Sequence, residues 1–434
     1  MANRCRLSVF IACSILISCF AIGLPGSSAI DPPLNSSNKA ALSHDELTLE
    51  QWMQDVDYLS TELPKKHKNL FHNISESEFQ TQIEEFKAKL PKMSQDEILV
   101  GLMRIFASVG DSHTTLGYRP QQGLLLMLYW FKDGIAILNT TSEYKNILYG
   151  KILALEGKPI EDVVAALRAV IPHENEAQVK NKITNLLTDT VILHAMKLIP
   201  SQDMASLTVL TTTGKTLTLD MKPLSFSSKP KWLVDMSDEN EAPLYLRNRR
   251  LYYWFEILPD SQTLYFKYNS CQNMTGQPFS DFVKTLFDTA DTEKVKKIVI
   301  DLRHNGGGNS GIFAPFLEEL KKRPKFLKKG SIYILIGRRT FSSAILNAID
   351  LKKQTPAIFV GEPTGGKPNH YGEVKMFSLP QSGLPVTYSV KYFRVLDEDP
   401  DSLEPDLLIE QKISEYLKKA DPVLKSVLGR RNPT

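Results

Sequence analysis

From residue 47 onward, apolar residues recur at three- and four-residue spacing: Leu49, Trp52, Val56 and Leu59, then a second run over residues 79–90. A third run opens at Ser94, where Ser94-Gln95-Asp96-Glu97 has the form of a capping box, and continues through Ile98, Leu99, Leu102 and Ile105. Such spacing predicts three amphipathic helices, an N-terminal helical region over residues 47–115. Beyond it the period changes. Residues 124–138 alternate and are aromatic, with a hairpin signal at Lys132-Asp133-Gly134. Helical patterns over 160–170 and 177–198 precede two strand patterns, 207–211 and 217–221, around a turn at Gly214. Residues 225–230, rich in Ser, Lys and Pro, read as a linker closing a β-rich module over 116–224. In the remainder, 231–434, strands at 251–257, 264–268, 298–300, 332–336 and 357–360 alternate with helices at 279–287, 312–321 and 343–351. That alternation predicts an α/β domain, a mostly parallel sheet with flanking helices. Residues 375–393 read as a hairpin around Ser382-Gly383-Leu384-Pro385, and a short amphipathic helix closes the chain.

The first residues follow another rule. Arg4 and Arg6 precede an apolar run over 7–24, broken by Pro25-Gly26 ahead of Ser27-Ser28-Ala29. This is the form of a secretory signal over 1–29, with cleavage after Ala29 and a linker over 30–46. Two alternatives stand beside it: an uncleaved membrane anchor, and a lipoprotein cleavage box at Leu16-Ile17-Ser18-Cys19 that would leave Cys19 lipidated. Cys5, Cys13 and Cys19 all lie in this leader, so the mature chain keeps only Cys271 and can form no internal disulfide. Cys271 reads as a buried structural thiol, and no paired Cys/His spacing suggests a metal. With 42% hydrophobic and 23% charged residues in 434, composition is that of a globular chain of two or three domains. A net charge of +3 without a Lys/Arg cluster argues against a dedicated nucleic-acid binder.

Candidate chemistry gathers in the α/β region. The apolar run Ile298-Val299-Ile300 leads through Asp301, Leu302, Arg303, His304 and Asn305 into Gly306-Gly307-Gly308. Three glycines bring bare N–H groups close to a ligand: a phosphate cradle, an oxyanion loop or a plain turn. The phosphate option lapses because no Lys-Ser/Thr pair follows the glycines. Asp301 and Arg303 read as a structural pair around the turn. The strand at 332–336 runs into Gly337-Arg338-Arg339-Thr340-Phe341-Ser342-Ser343-Ala344 ahead of a helix, which places Ser342 at a helix N-terminus, either as a cap or where an anion is stabilised. A third glycine turn, Gly361 to Lys367, follows the strand at 357–360.

Together the phrases IDLRHNGGG, TFSSAILNAI, VGEPTGGK, GDSHT and LEPDL resemble the carboxyl-terminal-processing (tail-specific) serine peptidase family, whose relatives include the tricorn core protease and the interphotoreceptor retinoid-binding protein. The segment GKILALEGKPI is similar to a PDZ-like module, which would bind an extended peptide at a sheet edge. The resemblance implies a peptide or protein substrate and acyl-enzyme chemistry without metal or cofactor. It makes Ser342 the nucleophile, with the N–H of Ser343 and of Gly306 or Gly307 as oxyanion donors. Two bases remain: His113, preceded by Ser112 as in the tricorn branch, and Lys367, where the tail-specific branch has its lysine. A lysine base must be neutral, and GGKPNHYGE shows no sign of the burial that requires; histidine titrates near neutrality unaided, which favours His113. Glu404 would complete a Ser-His-Ser-Glu tetrad, and His370 reads as a substrate contact. Ile345 stands where the tail-specific branch has glutamate, which weakens the lysine version. The rival class is a non-catalytic binder of peptides or apolar ligands on the same fold. The sequence leaves oligomeric state and cleavage preference open, and membrane association would run through the N-terminal segment.

Overall fold

The computed structural model describes residues 47–228, 231–236 and 242–430; the leader, its cleavage site and Cys19 lie outside them. No helix among the described residues is long and apolar enough to cross a membrane.

Three helices open the described chain: α1 (Leu49–Lys66), α2 (Glu76–Lys89) and α3 (Gln95–Val109). Each begins with a capping box, at Thr48, Ser75 and Ser94, so the first free N–H groups are met by side chains. Gly110, left-handed at φ 73, ends α3 and starts the GDSHT loop. Strand β1 (Thr115–Leu116) follows, then β2 (Gln122–Gly123).

A second sheet is built from β3 (Met127–Phe131), β4 (Gly134–Asn139), β5 (Lys151–Leu155) and β6 (Lys158–Pro159). After helices α4 (Ile160–Arg168), α5 (Glu176–Leu186) and α6 (Thr190–Ala195), strands β7 (Ala205–Leu210) and β8 (Thr216–Met221) complete it. The order is β3-β4-β5-β7-β8, with β6 on β5, and β9 (Leu224–Ser225) pairs with β2. The helical stretch expected over 177–198 is two helices, because the Asp189 carboxylate caps a fresh N-terminus by accepting from Val191 and Ile192.

The C-terminal part holds β10 (Tyr253–Leu258), β11 (Thr263–Tyr268), α7 (Phe279–Thr292), β12 (Lys297–Asp301), α8 (Ala314–Lys321), β13 (Ile332–Ile336), α9 (Ser343–Gln354) and β14 (Ile358–Gly361). The hairpin β15 (His370–Ser378) and β16 (Pro385–Phe393) follows, then β17 (Leu407–Leu408), α10 (Ile413–Leu417) and α11 (Pro422–Leu428). The sheet runs β10-β11-β12-β13-β14-β17; only β10 is antiparallel, and from β11 to β17 every pairing is parallel. Buried on both faces, β12 and β13 carry continuous apolar runs. Lys297 at the head of β12 is buried, its Nζ donating to the carbonyls of Val427 and Arg430.

Two links fix these parts to one another. The β15–β16 hairpin leaves the large sheet and joins the N-terminal helices: Leu379, Leu384, Val386 and Tyr388 share a core with Trp52, Phe79, Leu102 and Phe106. Buried Asp55 on α1 accepts the N–H groups of Gln381 and Ser382 at the hairpin tip, both at 2.8 Å. Strand β1 pairs with β16, Thr115 opposite Thr387. Thus the GDSHT loop and the C-terminal ends of β12, β13 and β14 face a common space.

Candidate active site

Ser342 stands between β13 and α9 at φ 52, ψ −126, a region a non-glycine residue enters at a cost of about 1–3 kcal/mol. Its side chain makes no capping bond. The strain persists because both neighbours are pinned: Phe341 N–H donates to the Asn305 carbonyl at 3.0 Å, and Ser343 Oγ donates to the Gly308 carbonyl at 2.7 Å. Both acceptors belong to the glycine loop after β12. Gly307 and Gly308 have φ of 106° and 133°, open to glycine alone at little cost. A Cβ on Gly307 would lie 2.9 Å from Ser342 Cβ and 3.1 Å from Ser343 N, so loop and serine turn touch there. Cys271 anchors the other side, its N–H donating to the Gly307 carbonyl at 2.9 Å and its carbonyl accepting from Asn309 at 2.8 Å. Burial pushes its thiol up to about 12, which suits a structural residue.

Of the N–H groups expected as donors, Ser343 with Gly306 or Gly307, one is already taken. Gly307 N–H donates to Asn305 Oδ1 at 2.9 Å and is not available to a ligand. Gly306 and Ser343 N–H have no acceptor among the described residues, and Ser343 is the first residue of α9, where the helix dipole adds to the attraction for an anion.

His113 lies against this turn. Its imidazole stacks on Phe341 at 4.5 Å between ring centroids and on His370 at 5.7 Å. The side chain is 8% exposed, and both ring nitrogens are buried without a hydrogen-bond partner. The GDSHT loop is held by Asp111, whose Oδ1 accepts His113 N–H at 2.9 Å and lies 3.7 Å from His113 Nδ1. Its Oδ2 bonds His67 Nε2, Thr114 Oγ1 and Ser389 Oγ at 2.9, 2.5 and 2.6 Å. Burial alone would raise this carboxyl; the nearby His113 ring and the bonds from His67 and Ser389 outweigh it and hold Asp111 well below the usual carboxylate range. Thr387 on β16 donates to the His113 carbonyl at 2.9 Å.

The third side of the site comes from the loop between α4 and α5. Glu174 Oε1 accepts Ser112 N–H at 3.4 Å and Oε2 accepts Lys367 N–H at 2.8 Å. Ser112 Oγ donates to Gln178 Oε1, which also accepts Glu174 N–H. Asn175 Nδ2 donates to the carbonyls of Thr364 and Asp401 and to Ser402 Oγ. Burial raises the Glu174 carboxyl above its ordinary value, the charge of Asp111 adding and that of His113 opposing.

Three expected site residues have their side chains engaged or turned outward. Lys367 turns its Nζ to Asp399 at 2.9 Å and Asp401 at 3.4 Å; burial pulls it down, but these partners outweigh that and hold it above the ordinary lysine value, so it stays charged. His370 is not open to a substrate: it is buried at the start of β15, Nδ1 bonding the carbonyls of Lys367 and Pro368, and burial with the nearby His113 lowers it to about 4. Glu404 is exposed, without hydrogen bond or ion pair among the described residues, and does not reach the unpartnered nitrogens of His113. Asp301 and Arg303 pair as expected, with Lys267 and Asp421 completing a buried network. Missed by sequence reasoning were Asp111, Glu174 and His67. Asp111 sits inside the quoted GDSHT phrase, but Glu174 and His67 carry no local signal.

No family model and no curated protein matches the chain. Solved structures do match. Mature CPAF complexed with lactacystin superposes with a TM-score of 0.63 at 13% identity, over 87% of this chain and 97% of that chain. The chain has the fold of CPAF. A structure of mature CPAF gives 0.61 at 14% identity, covering 87% of this chain and 96% of that one. The photosystem II D1 C-terminal processing protease aligns over 88% of this chain and 98% of its own at 14% identity, but its TM-score of 0.39 carries no weight here. With CPAF the α/β fold class expected from the sequence is established for nearly all of the described chain.

Proposed function

We propose that the protein is a serine peptidase in which Ser342 attacks the scissile carbonyl and His113 accepts its proton. The observation that carries this is Ser342 itself: a non-glycine residue held at φ 52 on a strand-to-helix turn, against a glycine loop, beside an imidazole with both nitrogens unpaired. The Ser342–His113 hydrogen bond is made on substrate binding, when catalytic bonds commonly tighten. Ser343 and Gly306 N–H receive the oxyanion, and the imidazolium forms beside the carboxylates of Asp111 and Glu174, which stabilise it as the acid does in a triad. Water then releases the acyl group. Lys367, fixed as a cation, orients its loop and is not the base. A non-catalytic binder would leave the strain at Ser342 without a use.

The CPAF neighbours support a peptide or protein as substrate. Residues 116–224 would serve as the PDZ-like peptide-binding module, residues 47–115 as the helical cap and 231–434 as the peptidase domain, exported by way of the leader. Ser342→Ala should abolish both hydrolysis of a peptide library and labelling by a serine-directed phosphonate. Wild-type protein that cleaves nothing and takes no label would overturn the assignment.

A further inference from the structure

We propose that Asp111, His113 and Glu174 bind a zinc ion, and that the bound ion switches the peptidase off. One ligand atom from each lies within 4.8 Å of the others, close enough for a small ion to draw them together. The imidazole supplies what a carboxylate pair alone would not: a side chain 8% exposed, with both nitrogens buried and unbonded, an unmet demand in a polar setting. Asp111 Oδ2 is occupied by His67, Thr114 and Ser389; Oδ1, which accepts only the His113 N–H and lies 3.7 Å from His113 Nδ1, is the ligand atom. Glu174 accepts one backbone N–H on each oxygen and keeps a second lone pair on both.

The donor set selects the metal. One imidazole nitrogen with two carboxylate oxygens suits Zn2+ with an open fourth position, whereas Ca2+ and Mg2+ favour oxygen ligands throughout. Two carboxylates, buried Asp111 and half-buried Glu174, cancel the charge of a divalent ion. The ligands come from the loop after α3 and the loop before α5, so no spacing in the sequence announces them. With its Nδ1 lone pair on zinc, the neutral ring carries its own proton on Nε2, so neither nitrogen can accept that of Ser342. That consequence rests on His113 as base; the binding itself does not.

The test titrates metal-free full-length protein with Zn2+ by calorimetry, and with Co2+ by its visible absorption. One ion per chain is expected, with affinity lowered about tenfold or more in Glu174→Gln and Asp111→Asn and unchanged in His194→Gln. Thermal melts check that the variants fold; if Asp111→Asn does not, the isosteric Glu174→Gln decides. Phosphonate labelling of Ser342 should slow about tenfold with Zn2+ and recover with chelator. Absence of a stoichiometric site, wild-type affinity in Glu174→Gln, or equal binding of Ca2+ would overturn the zinc site. Zinc bound with Ser342 labelling unchanged would overturn the switch. Protein that never labels even without metal would instead count against the peptidase assignment, while calorimetry still decides the site.

Discussion

A single hydrogen atom separates Gly307 from failure. A methyl group there would meet Ser342 Cβ at 2.9 Å and Ser343 N at 3.1 Å, on a backbone whose φ of 106° already costs an alanine about 1–2 kcal/mol. Gly307→Ala should therefore lower kcat by at least about a hundredfold and the melting temperature by only about a few degrees, the second readout separating a displaced serine from an unfolded chain. His370 makes a prediction of a different kind. Burial, with His113 nearby, lowers it to about 4 from an ordinary 6.5, so the unfolded chain binds more protons between those limits and stability falls as pH is lowered through that window. The contribution is full above pH 6.5 and amounts to about 3 kcal/mol. Urea melts from pH 7 to pH 4 should show the loss in wild type and a flatter profile in His370→Phe. An identical slope in both would place the titration elsewhere.

Among the elements, the loop from Glu174 to Gln178 does the most with the fewest residues. It receives Ser112 from one side and Lys367 from the other, and Asn175 alone donates to three acceptors near β14 and β17. Asn175→Ala removes these three bonds and the cap that its Oδ1 gives the Gln178 N–H at the start of α5, a loss of about 1–2 kcal/mol from the cap alone, and should loosen both neighbours; a lowered melting temperature with a raised KM is expected in steady-state assays. Little of this was legible in the sequence. The apolar periods of α1 to α3 and the buried runs of β12 and β13 are local, and so were read correctly, as was the serine turn after β13. Glu174 sits in a polar stretch like any solvated loop, and its partners are distant in sequence. Whether Gly306 or Gly307 offers its N–H depends on where the Asn305 amide points, and the charge on Lys367 depends on Asp399 and Asp401 folding back upon it.

For the molecule as a whole, the N-terminal helices and the β15–β16 hairpin form one packing unit. Asp55 is its polar lock: fully buried, it accepts from Gln381 and Ser382. Asp55→Ala strands both N–H groups and should destabilise by a few kcal/mol, read as a lower urea midpoint. Because β16 also holds the His113 carbonyl through Thr387 and Asp111 through Ser389, this variant should lose activity at denaturant concentrations where the large sheet is still folded.

The pairing of β1 with β16 also sets a clock. A growing chain presents His113 long before Ser342, and Ser342 before the strand that fixes the histidine loop in place. Until Pro385–Phe393 has been made and has folded back, Asp111 lacks Ser389 and the His113 loop lacks Thr387. If Ser342 is the proposed nucleophile, a chain still being synthesised is safe from it, and a product truncated before Pro385 should carry Ser342 yet remain unreactive toward phosphonate.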